Sequence, residues 1–524
     1  MISLVTLPKD VHFDLVMCPA LALEDLLSLL STCKTFRPFM DYRILWLTVL
    51  DRRRRENLPI PHPYAGSLTL LDTKTLKQKA FHACRFDRNW RSDHLRISGR
   101  RTIMNVKLPG KRPQILFIIS GTPMVALFYR DSGSAYIWDT ASCKALASLR
   151  IGYRECRMAG LPYEQEGTYT AAFFAYNVSN TEELREDDNE RVPRYSVELL
   201  VLRCNYSNPQ AVKLKRIWGQ GEMGNRRMFS ASVYQDLVVW HSGIDDPSAD
   251  EHSVVIRVCN MLTDASIVAT VPDAKSAHSP SLYFHHGNLY VVVVAKANSA
   301  IRIHYCSEHD LPYHSNQVSD INGLLMLGKY DLDVDSGPIV SFFAPVATEQ
   351  ELLFPALVEG DWDYEDHTHI RVTLAYLTIQ NPDEITESSL PTCTSYDKQI
   401  RGSGVKCDRS VRLSAKSSTG KHALGMTVYA KGGEDMTRVS AHPDFRGVII
   451  MEDLTYPLFY LRLVHFDTKR RRIVVKNMEM PPDIRSNELD LSSIVFDDCR
   501  GVVYARPGLK ALPEYGQLIA IPYA

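Results

Sequence analysis

Gly219-Gln220-Gly221-Glu222-Met223-Gly224 has the GxGxxG spacing with which a glycine-rich turn presents backbone N–H groups to a pyrophosphate. That chemistry needs a strand before the glycines and a helix after them. Here Asn225-Arg226-Arg227 leads into a second strand-like run, Met228–Tyr234, so the glycines read as a turn between strands. Thr419-Gly420-Lys421-His422 fails the phosphate-loop pattern, because Ala415 stands at the earlier glycine and His422 at the Ser/Thr. His285-His286 sits at a tight turn, and Asp366-His367-Thr368-His369 would set two imidazoles and a carboxylate near one ion. With no third cluster of ligands, both read as surface polar residues. A serine elbow, an HExxH pair and an activated cysteine are all missing. The expectation is a chain that is not an enzyme, with no catalytic residue, no cofactor and no metal.

The remaining bounds agree with a binding protein. The 524 residues suffice for a small module and one or two larger domains, and 45% hydrophobic with 23% charged residues is ordinary for a globular chain. A formal net charge of -1 gives no reason to expect nucleic acid or an anionic membrane surface. No run approaches ~18 apolar residues, so no membrane span is expected. The 11 cysteines are scattered without a CxxC pair, as in reduced proteins of the cytoplasm or nucleus.

The first fifty residues carry a helical period. Leu7-Pro8 opens a helix at the position where proline's missing N–H costs nothing, and Val11, Leu15 and Val16 form its apolar stripe. Pro19 ends it. Glu24-Asp25 suit a helix N-terminus, and Leu26, Leu27, Leu30 and Cys33 mark one face of a second helix. Asp41 is the expected N-cap of a third, running through Leu45-Trp46 to Leu50. Helices this short bury their faces only against one another or a partner.

The ordered set Leu7-Pro8, Val11, Leu15, Asp25-Leu26-Leu27, Cys33-Lys34, Phe36 and Leu45-Trp46 resembles the F-box. It departs from that pattern at Met17-Cys18-Pro19-Ala20, where the family more often keeps a helical aliphatic turn. The resemblance covers residues 4–50 and implies docking onto a Skp-type adaptor, and through it a cullin. Leu7, Pro8, Val11, Leu15, Leu26, Leu27 and Leu30 are the implied adaptor contacts, with Cys33, Phe36 and Trp46 as internal core.

Arg52-Arg53-Arg54-Arg55 reads as a solvated, cationic helix C-terminus. Pro59, Pro61 and Pro63 form a stiff spacer, and Leu68–Phe86 a further helix with Leu71, Leu76, Ala80 and Ala83 on one face. From about Asn89 the period changes to two. Runs such as Val125–Tyr129, Ala135–Asp139, Leu289–Val294, Ile301–Tyr305, Gly501–Ala505 and Gln517–Ile521 recur between turn clusters. Their grouping is that of four-stranded antiparallel blades, and at roughly 45–60 residues per blade there is room for about six to eight. Trp138-Asp139 ends a strand as in WD-repeat propellers, so the region is similar to a degenerate propeller of that kind; a β-sandwich pair or a β-rich solenoid are the alternatives. Asn180–Arg194, Asp361–Asp366 and Pro382–Gly404 read as solvated insertions.

The expected fold is therefore α+β and multidomain. A small all-α F-box head (1–56) and a proline-containing linker with a helix (57–88) precede a large all-β domain (89–524), a six- to eight-bladed propeller. The function the resemblance implies is that of a substrate receptor in an SCF-type (cullin-RING) ubiquitin ligase, holding a target protein on its β domain. A propeller hydrolase with a helical cap, or a scaffold unrelated to ubiquitin transfer, are the rival readings.

Overall fold

The computed structural model describes residues 7–55, 58–63, 66–92, 94–109, 113–158, 160, 162–184, 191–223, 230–241, 253–272, 280–294, 300–313, 319–321, 324–331, 339–342, 345–347, 351–362, 370–380, 394–399, 409–416, 422–429, 458–467, 472–481, 489–507 and 516–524. Helices come first: α1 (Lys9–Met17), α2 (Leu23–Thr32), a 3-10 turn (Arg37–Asp41), α3 (Arg43–Arg55) and α4 (Thr73–Arg91). Every later element among the described residues is a strand, apart from a single 3-10 turn at Glu308–Asp310.

Those strands pair into seven sheets, almost wholly antiparallel and nearly in chain order. Sheet 1 is built from 113–118, 124–129, 134–139 and 144–150, and sheet 2 from 155–158, 163–165, 168–184, 191–205 and 208–223. Sheet 3 takes 230–234, 237–241, 253–260 and 266–272, with 319–321 added in parallel; sheet 4 takes 281–285, 288–294, 300–306 and 325–331. Sheet 5 spans 339–399 and sheet 6 spans 409–478, the latter with His94–Leu95 added in parallel on Asn477–Met478. Sheet 7 combines 489–497, 502–507 and 517–522 with Thr102–Asn105, whose Thr102 pairs with Ala520 and Asn105 with Gln517. The last sheet is thus completed by a strand from before the first.

The period of two explains how the sheets associate. Along Met124–Tyr129 every residue is buried, but alternate side chains go to opposite neighbours. Met124, Ala126 and Phe128 join the core shared with Phe173 and Leu200 of sheet 2, and Val125, Leu127 and Tyr129 join Tyr504 and Leu518 of sheet 7. Sheet 2 repeats the device: Ala171, Phe173 and Ala175 face sheet 1, and Ala172, Phe174 and Tyr176 face Val233 and Trp240 of sheet 3. Sheets 3 and 4 share a core that includes Ile256, Val258, Val291 and Val293, and sheets 6 and 7 share Leu463, Phe496 and Ile519. A sheet covered on both faces by its neighbours is buried throughout its inner strands. Its outer strand, as at Lys144–Arg150, is the one that meets water. Hydrogen bonds tie neighbouring sheets as well: Tyr169 Oη donates to Ile118 O of sheet 1 at 2.8 Å, and Asn260 Nδ2 of sheet 3 donates to Pro312 O, in the connection that follows strand 300–306 of sheet 4, at 3.0 Å. The β region is propeller-like.

Several sequence expectations need correction. Gly219–Met223 is the end of strand 208–223, not a turn. Residues 180–184 and 191–194 of the acidic stretch belong to paired strands, with Arg191 opposite Leu184 and Arg194 opposite Ser179, and 394–399, within the expected insertion 382–404, is a strand paired to 370–380. Main-chain pairing needs no apolar side chains, so polar hairpins escaped a reading based on alternation. Strands 409–416 and 422–429 were not among the expected runs either. The Asp366–His369 grouping lies outside the described residues.

Candidate functional site: the helical head

The head is a small protein within the chain. Leu26, Leu30, Phe36, Leu45, Trp46 and Leu50 are fully buried and share one core. Trp46 Nε1 donates to Met40 O at 2.7 Å, which satisfies its one polar atom. Expected core residues Phe36 and Trp46 are at its centre, and Cys33 packs at its edge. α3 begins at Arg43 rather than at an Asp41 cap, because Arg37–Asp41 forms a separate 3-10 turn.

The seven implied adaptor contacts divide into two sets. Leu26, Leu27 and Leu30 point into the head's own core and are not available at its surface in this conformation. The expected stripe on α1 is also split: Val16 and His12 are buried, whereas Val11 and Leu15 are each 37% exposed. Pro8 is exposed and Leu7 half-buried. Spacing of four places Val11 and Leu15 in one outward row on α1, and Leu7 precedes the helix. Tyr42 and Ile44, which the sequence did not single out, are 47% and 50% exposed at the start of α3. Phe13 packs against the core, its ring 6.3 Å from that of Tyr42 and 6.0 Å from that of Phe39. The head therefore offers apolar side chains on α1 and at the start of α3, backed by a fixed core.

The arginine run holds this module together and is not a solvated helix end. Arg53 is 4% exposed and makes a bidentate pair with Asp87 of α4 at 2.5 and 2.9 Å, while also donating to Pro59 O. Arg52 donates to Cys18 O and Leu21 O at 3.2 and 3.0 Å. It thereby ties down the very turn where the sequence departs from the F-box pattern. Arg54 donates to Pro63 O and Gly66 O. Free carbonyls of irregular connections need donors, and guanidinium forks supply them; only Arg55 lies in solvent, beside Asp51.

α4 belongs to both halves of the molecule. Leu76, Ala80 and Ala83 pack into the head as expected, but the helix starts at Thr73 and runs through the 88/89 boundary to Arg91. At its far end the Trp90 ring stacks 5.8 Å from Phe496 of sheet 7, with Phe86 4.2 Å from Trp90. Asn89 Nδ2 donates to Tyr523 O at 2.6 Å, Lys476 Nζ donates to Trp90 O, and the His82 ring meets Arg500 O at 3.1 Å. Residues 60–63 dock too, since a Cβ on Gly121 of sheet 1 would collide with the main chain of His62. The expected spacer is a strut.

His285 and His286 stack ring on ring at 4.0 Å. Among the described residues, only Asp497, Asp498 and Cys499 bring three ligand-type atoms within 4.8 Å of one another. There Asp497 Oδ1 accepts from Cys499 N and Arg500 N at 3.1 and 3.2 Å, closing the hairpin of sheet 7. Burial pushes the Asp497 carboxyl up to about 7, against the pull of Arg500.

No protein-family model matches the chain, and neither does any curated protein. Among solved structures it is similar to Kuenenia stuttgartiensis hydrazine synthase, with 11% identity over 81% of this chain and 98% of that one, at a TM-score of 0.36. It is also similar to Drosophila Semaphorin 1b extracellular domains 1-2, with 10% identity over 80% and 88% at 0.32. A third is regucalcin, a calcium-binding protein of Agrobacterium tumefaciens, with 10% over 82% and 95% at 0.27. Likeness at this level carries nothing about function.

Proposed function

We propose that this chain is a substrate receptor of an SCF-type ubiquitin ligase, with its helical head on a Skp-type adaptor and a target protein on its β domain. In this reading the seven sheets are the blades of a seven-bladed propeller, closed by Thr102–Asn105 on the last blade. One observation carries the reading. The N-terminal helices keep the buried half of the F-box-like pattern in their own core and leave Val11 and Leu15 outward, as a helical module needs for a helix-in-groove contact. The chain performs no reaction itself; it raises the effective concentration of the target near a ubiquitin-loaded conjugating enzyme.

Affinity purification of the full chain from cells tests this. A Skp-type adaptor and a cullin should be recovered together with the wild type, and neither with the Val11→Asp, Leu15→Asp double variant. Leu26→Asp is a poor choice of variant, because a carboxylate at a fully buried position unfolds the head itself. Recovery of neither partner by the wild type would leave the proposal without a basis.

A further inference from the structure

A cavity of about 840 Å³ lies where α4 crosses the sheet 7 hairpin. Lys74, Lys77, Lys79 and Arg85 line it from α4, with Phe81 between them along the helix, and Arg500 lines it from the hairpin. None of its lining residues among the described ones is acidic, in a chain whose net charge is -1. Carboxylates that interact with these cations are absent from the lining: Asp41 is 3.9 Å from Lys77, Asp72 interacts with Lys74, and Asp497 with Arg500. Lys79 donates to Pro61 O at 2.5 Å, and Arg500 uses one end of its fork, Nη1, on Thr122 O and Tyr504 Oη at 3.1 and 2.8 Å. The Lys79 ammonium is pushed down to about 8, first by burial and then by Arg500. Burial also holds the neighbouring His82 near 4, so that it adds no charge at neutral pH. Five cations gathered around one concavity repel one another, and a ligand of opposite charge relieves that cost.

We propose that this cavity binds a compact polyanion, a small molecule carrying clustered phosphates, at the junction of head and β domain. Its volume is that of a small-molecule site rather than of a protein interface. Lysines as point charges and a guanidinium fork suit phosphate oxygens. A ligand there would bridge α4 to sheet 7 and so brace the strut. The inference is independent of adaptor binding.

Calorimetric titration of the full chain with sodium tripolyphosphate tests it. One molecule should bind per chain, raising the thermal midpoint as it saturates. Lys74→Glu and Arg85→Glu, both at exposed positions on the rim, should each weaken binding by about tenfold or more. Lys213→Glu, an exposed lysine on sheet 2, should change nothing. Unliganded midpoints of the three variants are compared first, so that a folding defect is seen as such. Absence of saturable binding overturns the proposal, as does an equal loss in Lys213→Glu, which marks a diffuse surface effect. Tighter binding of a phosphopeptide or a single-stranded oligonucleotide at the same residues overturns the small-molecule assignment.

Discussion

At the scale of residues, two buried ionic groups have opposite consequences. Arg53 and Asp87 are both largely removed from water, with side-chain exposures of 5% and 19%. Deleting one partner leaves the other charged and unpaired, so Arg53→Ala should cost about 3–5 kcal/mol. Arg55→Ala, whose pair with Asp51 is exposed, should cost about 0–1 kcal/mol. Urea unfolding followed by tryptophan fluorescence separates the two. Asp497 acts through its proton. Its carboxyl is raised to about 7 in the folded chain, so between about pH 4 and 7 the folded state holds a proton that the unfolded state has lost. Stability therefore falls as pH rises through this window. Asp497→Asn keeps an oxygen for Cys499 N and Arg500 N and removes the titration. The stability of the variant relative to wild type should rise with pH from 4 to 7; an unchanged difference would mean that the group does not titrate there.

Elements show what a sequence can and cannot disclose. Leu26, Leu30 and Trp46 were legible as head residues because helical spacing and the F-box-like order both point to them. Val125–Tyr129 and Ala135–Asp139 were legible as strands because alternation is the signature of a sheet with two faces. The outward turn of Val11 and Leu15 was not, since a stripe of spacing four does not say which side is covered. Nor was the pairing of Arg53 with Asp87, which joins residues 34 positions apart, or the closure of sheet 7 by residues 102–105. Such contacts are set by tertiary packing, which local periodicity does not encode. α4 is the element where this matters most, because it was read as a helix with one apolar face and is shared by two cores. Phe86 is 1% exposed, and Phe86→Ala should cost about 3–5 kcal/mol while loosening the head from sheet 7. Limited proteolysis should then cut near residues 92–98 faster than in the wild type, with the β domain surviving as a resistant fragment.

For the whole molecule, the strut gives the adaptor-binding proposal a geometric meaning. A head carried on a loose spacer would sweep its target through many orientations. A head joined through Trp90, Asn89 and the Gly121–His62 approach holds the β domain at one angle to whatever α1 binds. The cationic cavity lies on the same joint. The most direct test is a titration of the purified chain with a purified Skp-type adaptor, followed by gel filtration. A one-to-one complex should form with the wild type and be lost in the Val11→Asp, Leu15→Asp variant, whose unfolding midpoint should match that of the wild type. A folded wild-type chain that forms no complex, or a double variant that binds as well as the wild type, would contradict the account.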